Sequence, residues 1–451
     1  MKKETIVQII IVIILIIALG ILCKVLIFND NSNNNNNGQM QMGEAPGGMG
    51  QNSSSVEATG ATEITEDTTI ESGSYSSETA DQNAILVKGD VNAELSNIEV
   101  TKTGDSDGGD NTSFYGTNSA ILAKSGANLT LKNIKVTTDA TGANGVFCYG
   151  GSATTNNSSS DGTTVTISDS TITTTKDNSG GIMTTGGGTT IAKNLTINTA
   201  GASSAAIRTD RGGGEVNVDG GTYTTTGKGS PTVYSTANVT VSNAKLISKA
   251  SEGIVIEGKN SVTLENTELT DSNTTLNGQS TTYKNVFLYQ SMSGDASDGV
   301  STFTANNSKI TTNKGDSFYV TNTTSVINLN NNTIINNDSD GYLLRAKTDS
   351  WGNSGSNGGI VTFNCTNQEL IGDIVADNVS EITINLTEES SLEGTINGEN
   401  TAKSITLKLD NSSKLKLTGD TYVTSFEDED SSYGNIDFNG YKLYVNGKAI
   451  N

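Results

Sequence analysis

The chain has 451 residues, with Asp and Glu outnumbering Lys and Arg 49 to 27, no histidine, and a net charge of −22 at neutral pH. Such a surface repels phosphate backbones, which argues against a nucleic-acid partner, and the lack of imidazole excludes histidine-dependent triads, acid–base pairs and His-containing zinc sites. Fifty glycines accompany long Thr, Ser and Asn runs, yet the apolar residues fall in short, regularly spaced Val/Ile/Leu groups, the pattern of a thin core shared by many strands.

From Thr5 to Phe28 the chain is apolar apart from Gln8 and Lys24. As a helix this stretch would be roughly 36 Å long, enough to cross a hydrocarbon core of about 30 Å. "GILCKVLIFND" offers no small-residue cleavage site, and "GIL" before Cys23 suits a lipoprotein signal poorly, so residues 1–28 read as an uncleaved membrane anchor ahead of a cleaved signal peptide. Lys2 and Lys3 precede the span, and the next basic residue after Lys24 is Lys88. This charge bias predicts a cytoplasmic N-terminus and an extracellular remainder, a single-pass protein of the cell membrane. Residues 29–60, rich in Asn, Gly and Met, read as a disordered tether. Cys148 and Cys365 leave room for one long-range bridge but do not make a disulfide framework.

Internal similarity organises the rest. A first short strand recurs as "NAILVKG" from Asn83, "SAILAKSG" from Ser119, "GVFCYGG" from Gly145, "GIMTTGGG" from Gly181, "AIRTDRGGG" from Ala206, "TVYSTA" from Thr232, "GIVIEG" from Gly253, "NVFLYQ" from Asn285, "SFYVTN" from Ser317 and "GYLLRA" from Gly341. Each is followed by a segment such as "LKNIKV" or "LENTEL", in which one column reads Asn97, Asn133, Asp169, Asn194, Gly220, Asn243, Asn266, Asn307 and Asn331. These residue types tolerate a left-handed backbone, so the column predicts an asparagine ladder along one corner, breaking at Cys365. No two-residue hairpin signals and no long helical segments separate the strands; a solenoid of stacked parallel strands is the reading left. From these repeats the sequence resembles the right-handed parallel β-helix proteins, the pectate-lyase-like fold of polysaccharide lyases and of many bacterial surface adhesins. The resemblance covers about residues 80–450. It implies an all-β rod of roughly thirteen rungs, about 60 Å long at about 4.8 Å per rung, with the main helix over 61–366 and shorter rungs and a cap over 367–451.

The fourth place of the first strand reads Lys88, Lys124, Tyr149, Thr185, Asp210, Thr236, Glu257, Tyr289, Thr321 and Arg345. Its charges predict an outward direction, and strand alternation then turns the place two before it outward as well. That place reads Leu86, Leu122, Phe147, Met183, Arg208, Tyr234, Val255, Phe287, Tyr319 and Leu343. An apolar strip of this length is either a binding face for sugar rings or a partner, or a second core covered by the inserted loops. The expected ligand-binding residues are Phe147, Tyr149, Arg208, Asp210, Tyr234, Phe287, Tyr289, Tyr319 and Arg345.

The lyase resemblance implies an arginine or lysine base beside carboxylate-held Ca²⁺. Arg208, Arg211 and Arg345 are candidates for the base, and Asp210, Glu215 and Asp219 for ligands. Calcium needs several convergent oxygens, and no cluster on adjacent rungs supplies them. The hydrolase relatives use adjacent aspartates and a histidine, which this chain lacks. The loop with Asp105, Asp107 and Asp110 lacks the glutamate of a calcium loop, and the Thr-x-Thr pairs, similar to ice-binding arrays, are equally good strand formers. The reading therefore leans to a non-enzymatic function: an adhesin-like protein recognising a glycan or a cell-surface protein along the strip, without a cofactor unless Ca²⁺ is one. A lyase or hydrolase is the first alternative and a passive spacer the second.

Overall fold

The computed structural model describes residues 56–152, 159–291 and 293–451. The expected anchor, 1–28, and residues 29–55 of the tether lie outside them, and among the described residues no helix is long and apolar enough to cross a membrane.

Apart from a six-residue helix, Asp110–Tyr115, the described chain is strands and turns. Thr59–Ile64 starts a 12-stranded sheet that continues through Gln82–Lys88, Ile121–Lys124, Val146–Tyr149, Ile182–Thr185 and Ile207–Thr209. It then passes through Val233–Ser235, Ile254–Glu257, Lys284–Tyr289, Asp316–Thr321 and Leu344–Ala346 to Ile374–Ala376. Every neighbour in this first ladder is parallel and comes from the next repeat. Two further ladders stack the remaining strands of each repeat, and they merge into one 22-stranded sheet because Gly188–Thr199 and Gly214–Thr225 each run through the corner that elsewhere divides them. Hairpins would make sequence neighbours antiparallel. Here a strand pairs with its counterpart one repeat on, so the backbone coils and the rungs stack as a parallel β-solenoid.

Alternation within each strand builds the core. In Asn128–Lys132, Leu129 and Leu131 point inward while Asn128 and Lys132 face solvent. Register then stacks like on like: Leu131, Ile167, Ala192, Val218, Val241, Leu264, Ala305, Leu329, Cys365 and Leu386 form one buried column. Each such Val, Leu or Ile contributes about 1.5–3 kcal/mol by leaving water. Cys365 belongs to this column, not to the asparagine corner. It and Cys148 are free thiols in the interior, and burial pushes the Cys148 thiol up to about 12 and Cys365 in the same direction.

The asparagine corner is present as a column of left-handed residues: Asn97, Asn133, Asp169, Asn194, Asn243, Asn266, Asn307 and Asn331 have φ between 49° and 54°, and Gly220 has φ 75°. Side chains bond along it, Asn133 Nδ2 donating to Asn97 Oδ1 at 2.6 Å and Asn331 Nδ2 to Asn307 Oδ1 at 2.7 Å. The column does not break where expected. Asn367, φ 47°, and then Glu388, φ 54°, continue it.

After Thr333–Asn336 the third ladder restarts as a separate four-stranded sheet, Glu369–Ile371, Ser391–Gly394, Lys414–Leu417 and Ile436–Asp437. The rod's C-terminal edge closes with Leu443–Val445 and Lys448–Ala449, the one antiparallel pairing among the described strands. Such a hairpin leaves less open edge for another chain to pair with.

Candidate functional site

The outward column of the first ladder runs Leu86, Leu122, Phe147, Met183, Arg208, Tyr234, Val255, Phe287, Tyr319 and Arg345. One rung differs from the expected alignment. Arg345 pairs with Tyr319, so it belongs to this strip, whereas Leu343 packs into the main core.

The strip is not an open face. Phe147 and Tyr319 are 0% exposed and Phe287 4%. Two satellite cores account for this. In the first, Ala58 from the N-terminal segment packs with Leu86, Leu122, Phe147 and Met183. The backbone after the short helix lies on the same ring: a Cβ on Gly116, φ 71°, would sit 2.6 Å from Phe147 Cγ, so only glycine fits. In the second, Val255, Phe287 and Tyr319 are covered by Trp351, whose ring lies 5.3 Å from Phe287 and 5.2 Å from Tyr289. Tyr319 Oη donates to Asp349 Oδ2 at 2.5 Å, tying that covering segment down. Lys284, itself fully buried, lies 4.3 Å from the Phe287 ring and 4.9 Å from that of Tyr319, with Glu252 at 3.8 Å. The inserted segments thus make a second core, the alternative that sequence left open.

Between the two cores lies a polar seam. Asp210 is 3% exposed, against the solvated position expected for it. Arg208 Nη2 meets its Oδ2 at 2.8 Å and the Arg211 peptide N–H donates to its Oδ1 at 3.0 Å, which offsets the cost of burying the charge. Burial nevertheless pushes the Asp210 carboxyl up to about 6, with Arg208 acting against the shift. Arg211 spans the seam: its Nε donates to Asp295 Oδ1 at 2.8 Å, and its guanidinium lies 4.1 Å from the Phe114 ring of the short helix. Two rungs on, Glu257 is buried and accepts from Tyr234 Oη at 2.5 Å, Tyr289 Oη at 2.9 Å and the Ser291 hydroxyl. Burial raises its carboxyl, opposed by those hydrogen bonds.

All three arginines of the chain are therefore clamped in the same way, between a carboxylate and a ring. Arg345 pairs with buried Asp316 at 2.6 Å and lies 4.3 Å from the Tyr342 ring; Arg208 lies 5.8 Å from Tyr234. Each guanidinium is thus engaged by a carboxylate and not left free in a cleft. The expected calcium ligands are engaged separately: Asp210 on Arg208, Glu215 on Asn217, and Asp219 on Asn243 of the corner ladder. In the acidic loop, Asp105 accepts the Thr141 N–H and Asp107 the Gly109 N–H.

The outward column opens beyond Arg345. Val375 follows it in register, and then Asn397, Tyr422 and Tyr444, the last two stacked at 4.6 Å with rings 5° apart. Beside Arg345 and Val375 is a groove of ≈ 610 Å³ lined by Tyr342, Arg345, Lys347, Asp373, Asp377, Asn378, Asn397 and Glu399, among others. Its carboxylates are partly spoken for: Asp373 Oδ1 accepts the Thr395 N–H at 2.7 Å, and Asp377 Oδ2 accepts from Thr348. Of the nine expected binding residues, only Arg345 lines this groove. Tyr149, Arg208, Tyr234 and Tyr289 are partly exposed along the covered strip, and Phe147, Asp210, Phe287 and Tyr319 are buried. The groove residues from Asp373 onward lie past the ten aligned first strands, in the rungs beyond Leu370 whose shorter, more alternating pattern differs from the earlier repeats. The chain matches no family model, and no curated protein or solved structure similar to it was found.

Proposed function

We propose that the chain is a membrane-anchored, extracellular right-handed parallel β-helix of the pectate-lyase-like kind, which binds a neutral, hydroxyl-rich glycan at the open end of its outward column. The anchor rests on the apolar stretch Thr5–Phe28, and the hand on the strong preference of parallel crossovers for right-handed connections. The binding reading rests on the ≈ 610 Å³ groove, where the Tyr342 ring, the Asn378 amide, Lys347 and the Glu399 carboxylate line a face that is largely covered elsewhere; the Asn397 amide beneath them is buried and bonded to the Tyr422 carbonyl and the Thr401 N–H. Sugar hydroxyls both donate and accept, so they suit a site that mixes carboxylates, amides and an ammonium group; a uronate polymer would face Asp373, Asp377 and Glu399. The test is a glycan array with the full-length protein and with Lys347→Ala and Glu399→Ala. Retention of an intact neutral glycan that drops at least tenfold in both variants, with unchanged melting, supports the reading. Equal retention by the variants, or release of cleaved sugar, overturns it.

A further inference from the structure

The interior corner where the third ladder turns into the first is lined by a column of small hydroxyls, including Thr174, Thr199, Thr225, Ser248 and Thr312. Most of these hydroxyls bond locally, as Thr174 does to the Ser179 carbonyl and Thr199 to the Ser204 carbonyl, both at 2.5 Å. Between Ser248 and Thr312 the column carries a carboxylate instead. Asp271 is 0% exposed, and neither of its oxygens has a hydrogen-bond partner. Among the described residues it is the one carboxylate with both oxygens buried and unpartnered. The Asn273 and Ser272 N–H groups face it and favour its charged form without full hydrogen-bond geometry, that of Ser272 being given to the Ser248 carbonyl at 3.0 Å.

Two more unpartnered oxygens lie at the same corner. Asn285 donates its amide to Thr312 Oγ1 at 3.0 Å and the Thr311 carbonyl at 3.2 Å. Thr312 is the register partner of Asp271, about 4.8 Å along the rod. The Asn285 Oδ1 atom turns back toward the Asp271 rung, where it would lie 2.2 Å from a Cβ on Gly253, and it has no donor. Asn273, two residues after Asp271, donates its amide to the Lys284 carbonyl at 3.1 Å and leaves its own Oδ1 unpartnered. Both asparagines are 0% exposed. Four buried side-chain oxygens without a full hydrogen bond thus lie along this corner, with the Asn273 N–H as the donor beside Asp271, and each unpartnered buried acceptor is costly, about 1–3 kcal/mol. The nearest buried ammonium, Lys284, is spent on the Ser280 hydroxyl, the Thr282 carbonyl and Glu252.

We propose that this corner holds one hard, oxygen-preferring cation, with Asp271 as the charged ligand, the Asn273 and Asn285 side-chain carbonyls beside it, and Ca²⁺ as the representative ion. One carboxylate and two amide carbonyls are ligand types that calcium accepts. No cluster of three or more Asp, Glu, Cys or His with metal spacing occurs among the described residues, so the ligands here would be mainly amide carbonyls around a single carboxylate. Since the corner is closed, the ion would enter as the rungs form and would couple to folding.

Full-length protein, purified without chelator and dialysed, should carry close to one equivalent of cation by elemental analysis. Chelation should lower its melting midpoint by several degrees, and Ca²⁺ should restore it. Asp271→Thr places in the column the residue that other rungs use there; it should fold, carry no cation and show a midpoint indifferent to Ca²⁺. Wild-type protein without bound Ca²⁺, Mg²⁺, Na⁺ or K⁺, and with a midpoint that none of these ions moves, would overturn the proposal and leave a proton on Asp271. So would an Asp271→Thr protein that keeps its equivalent. Should that variant not fold, the wild-type metal content and midpoint decide by themselves.

Discussion

Phe147→Ala separates a covered strip from an exposed one. Phe147 has no accessible surface, sits against Leu122 and Met183 of the flanking rungs, and carries the Gly116 backbone on its ring. Truncating a ring in such a place removes its transfer free energy and leaves a cavity, about 3–5 kcal/mol; truncating a solvent-facing ring changes stability by less than about 0.5 kcal/mol. In a solenoid each rung leans mainly on its neighbours, so the loss should be local before it is global. Amide hydrogen exchange is the assay. The segment 105–118 and strands Ile121–Lys124 and Ile182–Thr185 should lose protection by a factor of roughly a hundred or more, about 1.4 kcal/mol per tenfold, while the C-terminal rungs hold. Unchanged exchange in 105–118, with a chemical-denaturation midpoint equal to wild type, would refute the second core and return Phe147 to the surface.

Arg211→Gln removes the Asp295 ion pair and the Phe114 stack together; a partly exposed pair at about 0.2–1 kcal/mol and a cation–π contact at about 0.5–2 kcal/mol predict a several-fold to hundredfold gain in exchange confined to 110–118 and 293–299. The Asp210 carboxyl, pushed up to about 6 from an unfolded value near 3.8, binds its proton more tightly folded than unfolded. Its contribution to stability is therefore greatest below about pH 4 and falls as pH rises to about 6; the wild-type melting midpoint, compared with that of Asp210→Asn, should decline across that window, and a flat difference would count against it. In the corner ladder, Asn307→Ala should cost about 1–2 kcal/mol, because alanine at φ 49° keeps the Cβ but loses the side-chain amide that offsets left-handed strain and accepts from Asn331, while Asn307→Gly should cost less, as chemical denaturation would show. Cys148 and Cys365 should resist a thiol reagent in native protein and react at once in denaturant, because both are buried with raised pKa values.

Much of the architecture is legible in the one-dimensional pattern. Strand alternation decides which side chains enter the core, and the asparagine column marks the corner because a left-handed backbone admits few residue types. Both are local rules repeated at each rung, so Asn97 to Asn331 could be aligned without knowing what they touch. Where the rule depends on register across an insertion, it slips: Arg345 and Leu343 were exchanged by two places, and Asn367 was passed over for Cys365, since a count along the chain does not see which residue the rung below selects. Direction relative to the barrel of strands was also legible; Phe147, Phe287 and Tyr319 do point out of it. What alternation could not say is whether outward means wet. That was decided by Ala58, Gly116 and Trp351, residues in segments without periodicity that come to rest on the strip because burying its rings outweighs ordering the loops. Other such contacts, Arg211 with Asp295 beside Asp210 and Ser291 on Glu257, turned two expected surface charges into buried ones, and the groove at Arg345 is left as a stretch where the column meets solvent.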